Sequence, residues 1–269
     1  MGVGRGFRAG VAAAAAAAFL VPAAAAQGPI MHVVFPEGQS VRQMTDRVSA
    51  VRRIAIRKRH VTPVLTAAAY ARAARRASPP PAFRAADGRH SIEGFLFPAT
   101  YPFEATTPAG NLVRQQLAAF EERWATLKLS PRAKRLGAYG VLTVASMVER
   151  EAAVPSERPL IAAVIYNRLD RGMPLGIDAT IRYGLGIQGT RPLTAAQLAS
   201  DSPYNTDRFT GLPPTPIDNP GMPSLRAAAA PADVDYLYYV RRPNSLHHFF
   251  TADEAVFCAK AKAFGYRGC

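Results

Sequence analysis

VLTVASMVEREAA, residues 141–153, sets two carboxylates into an otherwise apolar helical run. A Glu on an apolar helix must be neutral, paired with a cation, or put to use. A second apolar helical run begins at Leu160 and carries Tyr166, Asn167 and Arg168, polar groups that a plain core would exclude. On a helical projection Glu149 shares a stripe with Leu142, Ala145, Ser146, Ala152 and Ala153, by spacings of three, four and seven. Glu151 lies with Val144, Met147 and Val148, and the polar line between the two runs through Thr143, Ser146 and Arg150. Both acids have apolar neighbours on divergent sides of the helix, so periodicity does not choose between them. The pattern equally fits two solvated Glu at a helix end, or one functional acid and one paired with Arg150 or Arg158. The chemical attraction is that an apolar pocket raises a Glu from about 4.3 toward neutrality, so that it can donate a proton.

Around these two runs the chain reads as a mixture of helices and short strands. His32 to Phe35 reads as a strand, Pro36-Glu37-Gly38 as a turn, and Ser40 as the cap of a helix reaching about Val51. Residues 52–90, rich in Arg, Ala and Pro, read as a helix followed by a linker. A helix is expected from Asn111 to about Leu127 and another near 223–230. Ser156 is expected to cap the second run and Gly172 to end it. Strands are expected at 236–240 and 249–251, with Thr251 capping a last helix to about Phe264. The segments 175–186 and 202–228 read as loops carrying Asp178, Thr180, Tyr183, Tyr204, Asn205 and Thr206. Such rings, amides and hydroxyls suit a sugar cleft and are equally normal in ordered turns. The fold class expected is α+β: a mainly helical domain with short strands, preceded by a small α/β module.

The formal charge of +14 comes mostly from Arg, with only five Lys in 269 residues. It fits nucleic acid, an anionic membrane surface or an acidic polymer without choosing among them. Arg5 and Arg8 precede an Ala-rich stretch at 9–26 that ends in small residues before Gln27. That is the shape of an export signal, or of an uncleaved anchor near the roughly 20 residues a bilayer needs. Ala is a weak membrane residue and Pro22 interrupts the end, which favours cleavage; either way the rest lies outside the cytoplasm, which argues against nucleic acid. Cys258 and Cys269 read as a small disulfide loop or as two unpaired thiols. The scattered His have no metal-ligand spacing, so no metal site is expected.

EGFLFPATYPF (93–103), ASMVEREA (145–152), YNRL (166–169), the Asp178/Thr180/Tyr183-Gly184 segment, SPYNT (202–206), GLPPTPIDNPG (211–221) and His248 with Phe250 occur in one order. Together they resemble the endolytic murein transglycosylase family (YceG-like). FPEG with its following helix resembles part of the family's LysM-like module, which here reads as shortened. The resemblance implies an export signal or anchor at 1–27, a partial LysM-like module and linker at 30–90, and a YceG-like catalytic domain at 91–269. It implies cleavage of the β-1,4 bond between N-acetylmuramic acid and N-acetylglucosamine in nascent peptidoglycan, leaving 1,6-anhydro ends, without a cofactor. The catalytic acid it implies is Glu149, with Tyr166, Asn167, Asp178, Thr180, Tyr204, Asn205, Glu151 and His248 orienting the glycan or the acid. The location implied is the inner membrane, single-pass with a periplasmic catalytic domain, or soluble periplasm if the segment is cleaved. The partners implied are glycan strands, penicillin-binding proteins and other cell-wall synthesis proteins. A pyridoxal-phosphate lyase is a rival label for such chains, but it needs a Schiff-base Lys and none lies between Lys134 and Lys260. A second rival is a catalytically impaired scaffold that binds glycan strands.

Overall fold

The computed structural model describes residues 1–2, 29–83 and 91–266. Strand β1 (Met31–Val34) leads through the Pro36–Gly38 turn into α1 (Val41–Arg59), and α2 (Ala67–Arg76) follows. The start of α1 is set by a capping box in which Ser40 and Gln43 satisfy each other's backbone N–H groups. Its end follows Arg57, Lys58 and Arg59, cations suited to the negative end of the helix. Thr66 caps α2 by accepting from the N–H of Ala69. The partner of β1 is β2 (Thr100–Phe103), antiparallel with Met31 opposite Phe103. The unit is therefore strand–helix–helix–strand.

The second part is helical. After α3 (Ala109–Ala125), α4 (Pro131–Glu151) is capped by Ser130 and interrupted by non-helical Gly137. From Gly140 to Val148 every residue of α4 is buried, so this segment is the central rod of the fold. Against it pack α5 (Arg158–Asp170) and α8 (Met222–Ala229), whose buried Ala227 and Ala228 allow close approach. Phe83, Phe95, Phe120 and Trp124 form an edge-to-face cluster beside α3. Tyr70 of α2 donates to Gln116 of α3 at 2.7 Å inside the core, tying the N-terminal unit to the helical part.

Three local expectations are corrected. The segment around Asp178 is not a loop but a short helix, α6 (Asp178–Gly184), followed by α7 (Ala195–Leu198). Ser156 does not cap α5; it lies in a 3-10 turn, and the N-cap position belongs to Glu157. Thr251 does not cap the last helix either. Asp253 does, its carboxylate accepting from Val256 at the start of α9 (Glu254–Ala263). The strands near the C-terminus form as expected, β3 (Tyr238–Arg241) pairing antiparallel with β4 (His248–Thr251). Gly172, at φ 63°, follows the end of α5 as the sequence suggested.

No helix among the described residues is long and apolar enough to cross a membrane. The 9–26 stretch lies outside the described residues, as does Cys269 and with it the Cys258–Cys269 loop.

Candidate active site

Glu149 sits in the last turn of α4, its side chain only 8% exposed. One carboxylate oxygen accepts the Gly221 N–H at 3.1 Å, at the N-cap of α8. The other lies 3.7 Å from the Arg158 guanidinium, which also donates to Ser224 of α8 at 3.0 Å. The apolar pocket expected around Glu149 is thus replaced by a cation and a helix N-terminus, which suit a carboxylate. A pairing with Arg158 was among the alternatives the sequence left open, whereas the Gly221 N–H comes from an element that periodicity does not connect to α4.

The loop that supplies Gly221 is bound to α4 and to the N-terminal turn. Ser146 accepts the Ile217 N–H at 3.0 Å, so the polar hydroxyl on the buried face of α4 positions this loop. Gly38, at φ 73°, donates to the Asn219 carbonyl at 3.0 Å, and the Asn219 N–H returns a bond of 3.0 Å to Gln39. A side chain at Gly38 would press on Glu149, since a Cβ there would lie 3.3 Å from Glu149 Cγ and 3.7 Å from Asp218 Oδ2. Arg150 closes the turn from above, donating to the Gly38 carbonyl at 3.3 Å.

Two buried acids flank this junction. Glu93 accepts from Val41 N–H and Asn219 Nδ2, each at 2.9 Å, and from the Tyr183 hydroxyl at 3.1 Å. Burial pushes its carboxyl up to about 7, against the pull of those three donors. Asp218 is fully enclosed, and neither of its oxygens has a hydrogen-bond partner among the described residues. Burial drives its carboxyl well above the usual range; Arg150 opposes, while Glu149 and Glu93 add to the rise. Neither was singled out from sequence, although a Glu opening the apolar run at 93–97 is the same signal that marked Glu149.

A cavity of about 340 Å³ opens on the other side of Gly38 and Arg150. Glu93, Arg42, Arg182, Tyr183 and Tyr204 share its wall, with the two Tyr rings 5.2 Å apart. Glu149 itself does not line it.

The remaining sequence-predicted residues fall into two sets. Glu151 points away from Glu149, toward β3, where Tyr239 donates to it at 3.1 Å; burial raises its carboxyl, Tyr239 and Arg150 oppose, and Asp178 adds. Tyr204 is on the cavity wall, its hydroxyl 2.9 Å from Thr215. Asp178 is exposed at the start of α6. The others direct their polar atoms into the framework. Tyr166 donates to the Ala228 carbonyl at 2.9 Å. Asn167 donates to the carbonyls of Val234 and Tyr236 at 2.9 and 2.7 Å. Thr180 donates to the Ile177 carbonyl at 2.7 Å, and Asn205 to those of Leu198 and Ser200 at 2.8 Å. His248 binds Glu157 twice, ring to carboxylate at 2.7 Å and N–H to carboxylate at 3.0 Å. Burial pushes Glu157 up, yet its bonds to His248 and His247 outweigh this and hold it below the ordinary range. That anchor fixes the start of α5, one residue before Arg158. No cluster able to hold a metal ion occurs among the described residues.

The YceG-like family model matches residues 7–263. The chain belongs to the YceG-like family. Over 157 residues this YceG-like chain is 40% identical to an endolytic murein transglycosylase of Bacillus subtilis, covering 58% of the chain and 43% of that relative. A second endolytic murein transglycosylase, of Streptococcus pneumoniae, is 37% identical over 156 residues, covering 56% of the chain and 28% of the relative. The match thus spans less than half the length of either relative. Among solved structures, a YceG-like protein of Listeria monocytogenes superposes with a TM-score of 0.66 at 28% identity, covering 86% of this chain and 76% of that one. The α+β architecture is therefore shared with a crystal structure.

Proposed function

We propose that this YceG-like chain is a lytic transglycosylase that cuts the MurNAc-β-1,4-GlcNAc bond of nascent glycan strands, with Glu149 as its single general acid and base. The observation that carries this reading is the Glu149 carboxyl itself, almost wholly sheltered and held from two sides by Gly221 and Arg158. The names of the two relatives support the same reaction class. Glu149 gives its proton to the glycosidic oxygen as the bond to the muramic C1 breaks, and the sugar passes through an oxocarbenium-like state. The muramic C6 hydroxyl then attacks C1, and its proton returns to the same carboxylate. No water is consumed, the ring closes as a 1,6-anhydride, and one acid serves where hydrolases use two. Three guanidiniums on the neighbouring cavity wall, Arg42, Arg150 and Arg182, suit the carboxylates that a muramyl strand carries.

The strand–helix–helix–strand unit is read as the LysM-like module, now with β2 as its closing strand, and the stretch at 9–26 as the export segment or anchor that puts the enzyme in the periplasm. Cell-wall synthesis proteins are its expected partners.

The test is mass spectrometry of uncrosslinked glycan strands incubated with purified protein. Wild type is expected to release anhydromuramyl ends, and Glu149→Gln to lose about 10²–10⁴-fold in rate with an unchanged melting temperature. Equal product from both proteins overturns the assignment of Glu149. No product from either favours a glycan-binding scaffold.

A further inference from the structure

Glu37 stands at the tip of the turn that the N-terminal unit lays over the Glu149 junction, and its role has not been accounted for. Its position is fixed by backbone: Gly38 and Gln39 pair with Asn219, two residues before Gly221. The Glu37 carboxyl occupies the face of Gly221 where any side chain would project, so that even a methyl group there would collide with it. The N–H of the same Gly221 binds Glu149. One glycine therefore brings two carboxyls together, from elements more than a hundred residues apart in sequence, with Arg158 beside them. Glu149 is sheltered while Glu37 is exposed, so Glu37 forms the solvent side of the pair.

We propose that Glu37 is a positioning residue of the active site, whose charge keeps the working proton on Glu149. The inference rests on the reading of Glu149 as the acid. Arg158 places a cation on one side of the site, and a group that gives up a proton there needs a counterweight to it. With Glu37 ionised, a second carboxylate stands beside Glu149 and offsets part of the pull of Arg158. In support, the Glu37 carboxyl is raised, first because the side facing Gly221 is shielded from water although the residue as a whole is exposed, then by the Glu149 charge, with Arg158 opposing. The other charged or titratable groups facing the pair are Arg150, bound to the Gly38 carbonyl, and the enclosed Asp218, with Glu93 behind it. Arg150 adds to the pull of Arg158, so Glu37 is the exposed acid that offsets it.

The test is the pH profile of kcat/KM for anhydromuramyl release by the full chain, comparing wild type, Glu37→Gln and Glu37→Asp. Glu37→Gln leaves Arg158 unopposed, so the alkaline limb, where the donated proton is lost, is expected to move about one unit or more toward acid. Activity then falls about tenfold at neutral pH and recovers as pH is lowered, and Glu37→Asp, which keeps the charge, restores most of the wild-type limb. A Glu37→Gln profile that keeps its shape, whether scaled down or unchanged, overturns the proposal. If Glu149→Gln is as active as wild type, the reading of Glu149 itself fails; if only Glu37→Gln behaves as wild type, this inference alone fails.

Discussion

Asp218 carries a carboxyl into a fully enclosed site with no donor for either oxygen among the described residues, a burden that burial of an unpartnered acid imposes on the folded state. Its raised carboxyl means that the folded protein keeps a proton that the unfolded chain releases above about 3.9. The unfolded state then binds fewer protons, so stability falls as pH rises from that value toward the raised one. Asp218→Ala is therefore expected to be more stable than wild type by about 1–3 kcal/mol at pH 8, with the gain shrinking as pH approaches 4. Thermal melts of both proteins across that range check it, and a gain that grows toward acid contradicts it. At this scale sequence showed that an acid on an apolar stripe is unusual, but not what surrounds it. Arg158 was among the cations that the sequence offered to one of the two acids, but the N–H at Glu149 comes from Gly221, which no local pattern connects to it. Tyr166 and Asn167 illustrate the converse. A polar group bonded to a distant carbonyl looks, in sequence, like one that faces a sugar.

At the level of elements, helix periodicity placed α3 and α5 within a few residues, but it caught only the second half of α4, from 141 on, and ended α1 near Val51 where the helix runs to Arg59. The seven-residue α6 was not placed, because Gly172, Pro174, Gly176 and Gly186 frame a segment too short for a 3.6-residue period to register. Nor could four-residue strands announce their partners, so the pairing of β1 with β2 was unreadable. The energetic weight lies in α4 against α8. Small residues at Ala227 and Ala228 let α8 approach the buried rod, and that approach sets where Gly221 presents its N–H. Ala228→Leu inserts three heavy atoms into this contact, with an expected cost of about 1–3 kcal/mol from overpacking. Because Gly221 moves with α8, kcat for glycan cleavage is expected to fall more than the melting temperature alone would explain, with KM little changed. Steady-state kinetics at a temperature where both proteins are folded would test this, and loss confined to stability would sever α8 from the chemistry.

On the scale of the whole molecule, the acid that the resemblance singled out and the turn that covers it lie more than a hundred residues apart in the chain, joined by one asparagine. Asn219 donates to the Gln39 carbonyl and to Glu93, each at 2.9 Å, while its own carbonyl oxygen accepts the Leu96 N–H at 2.8 Å. Glu93 in turn caps the start of α1 through the Val41 N–H. A buried network of this kind is stabilising only when complete, and removing one member leaves the others unpaired in a low-dielectric interior. Asn219→Ala leaves the Leu96 N–H without this partner, at an expected cost of about 1–3 kcal/mol, while the Gln39 carbonyl keeps the residue-219 backbone N–H. The loss should be local as well as global: the backbone pair between Gly38–Gln39 and residue 219 remains, but the side-chain brace is gone. Hydrogen exchange at Gly38 and Val41 is therefore expected to quicken more than exchange in the α4 rod, and glycan cleavage to fall even where the melt shows a folded protein. Uniform acceleration throughout the chain, with activity per folded molecule preserved, would mean that the N-terminal unit supports the helical part without completing its site.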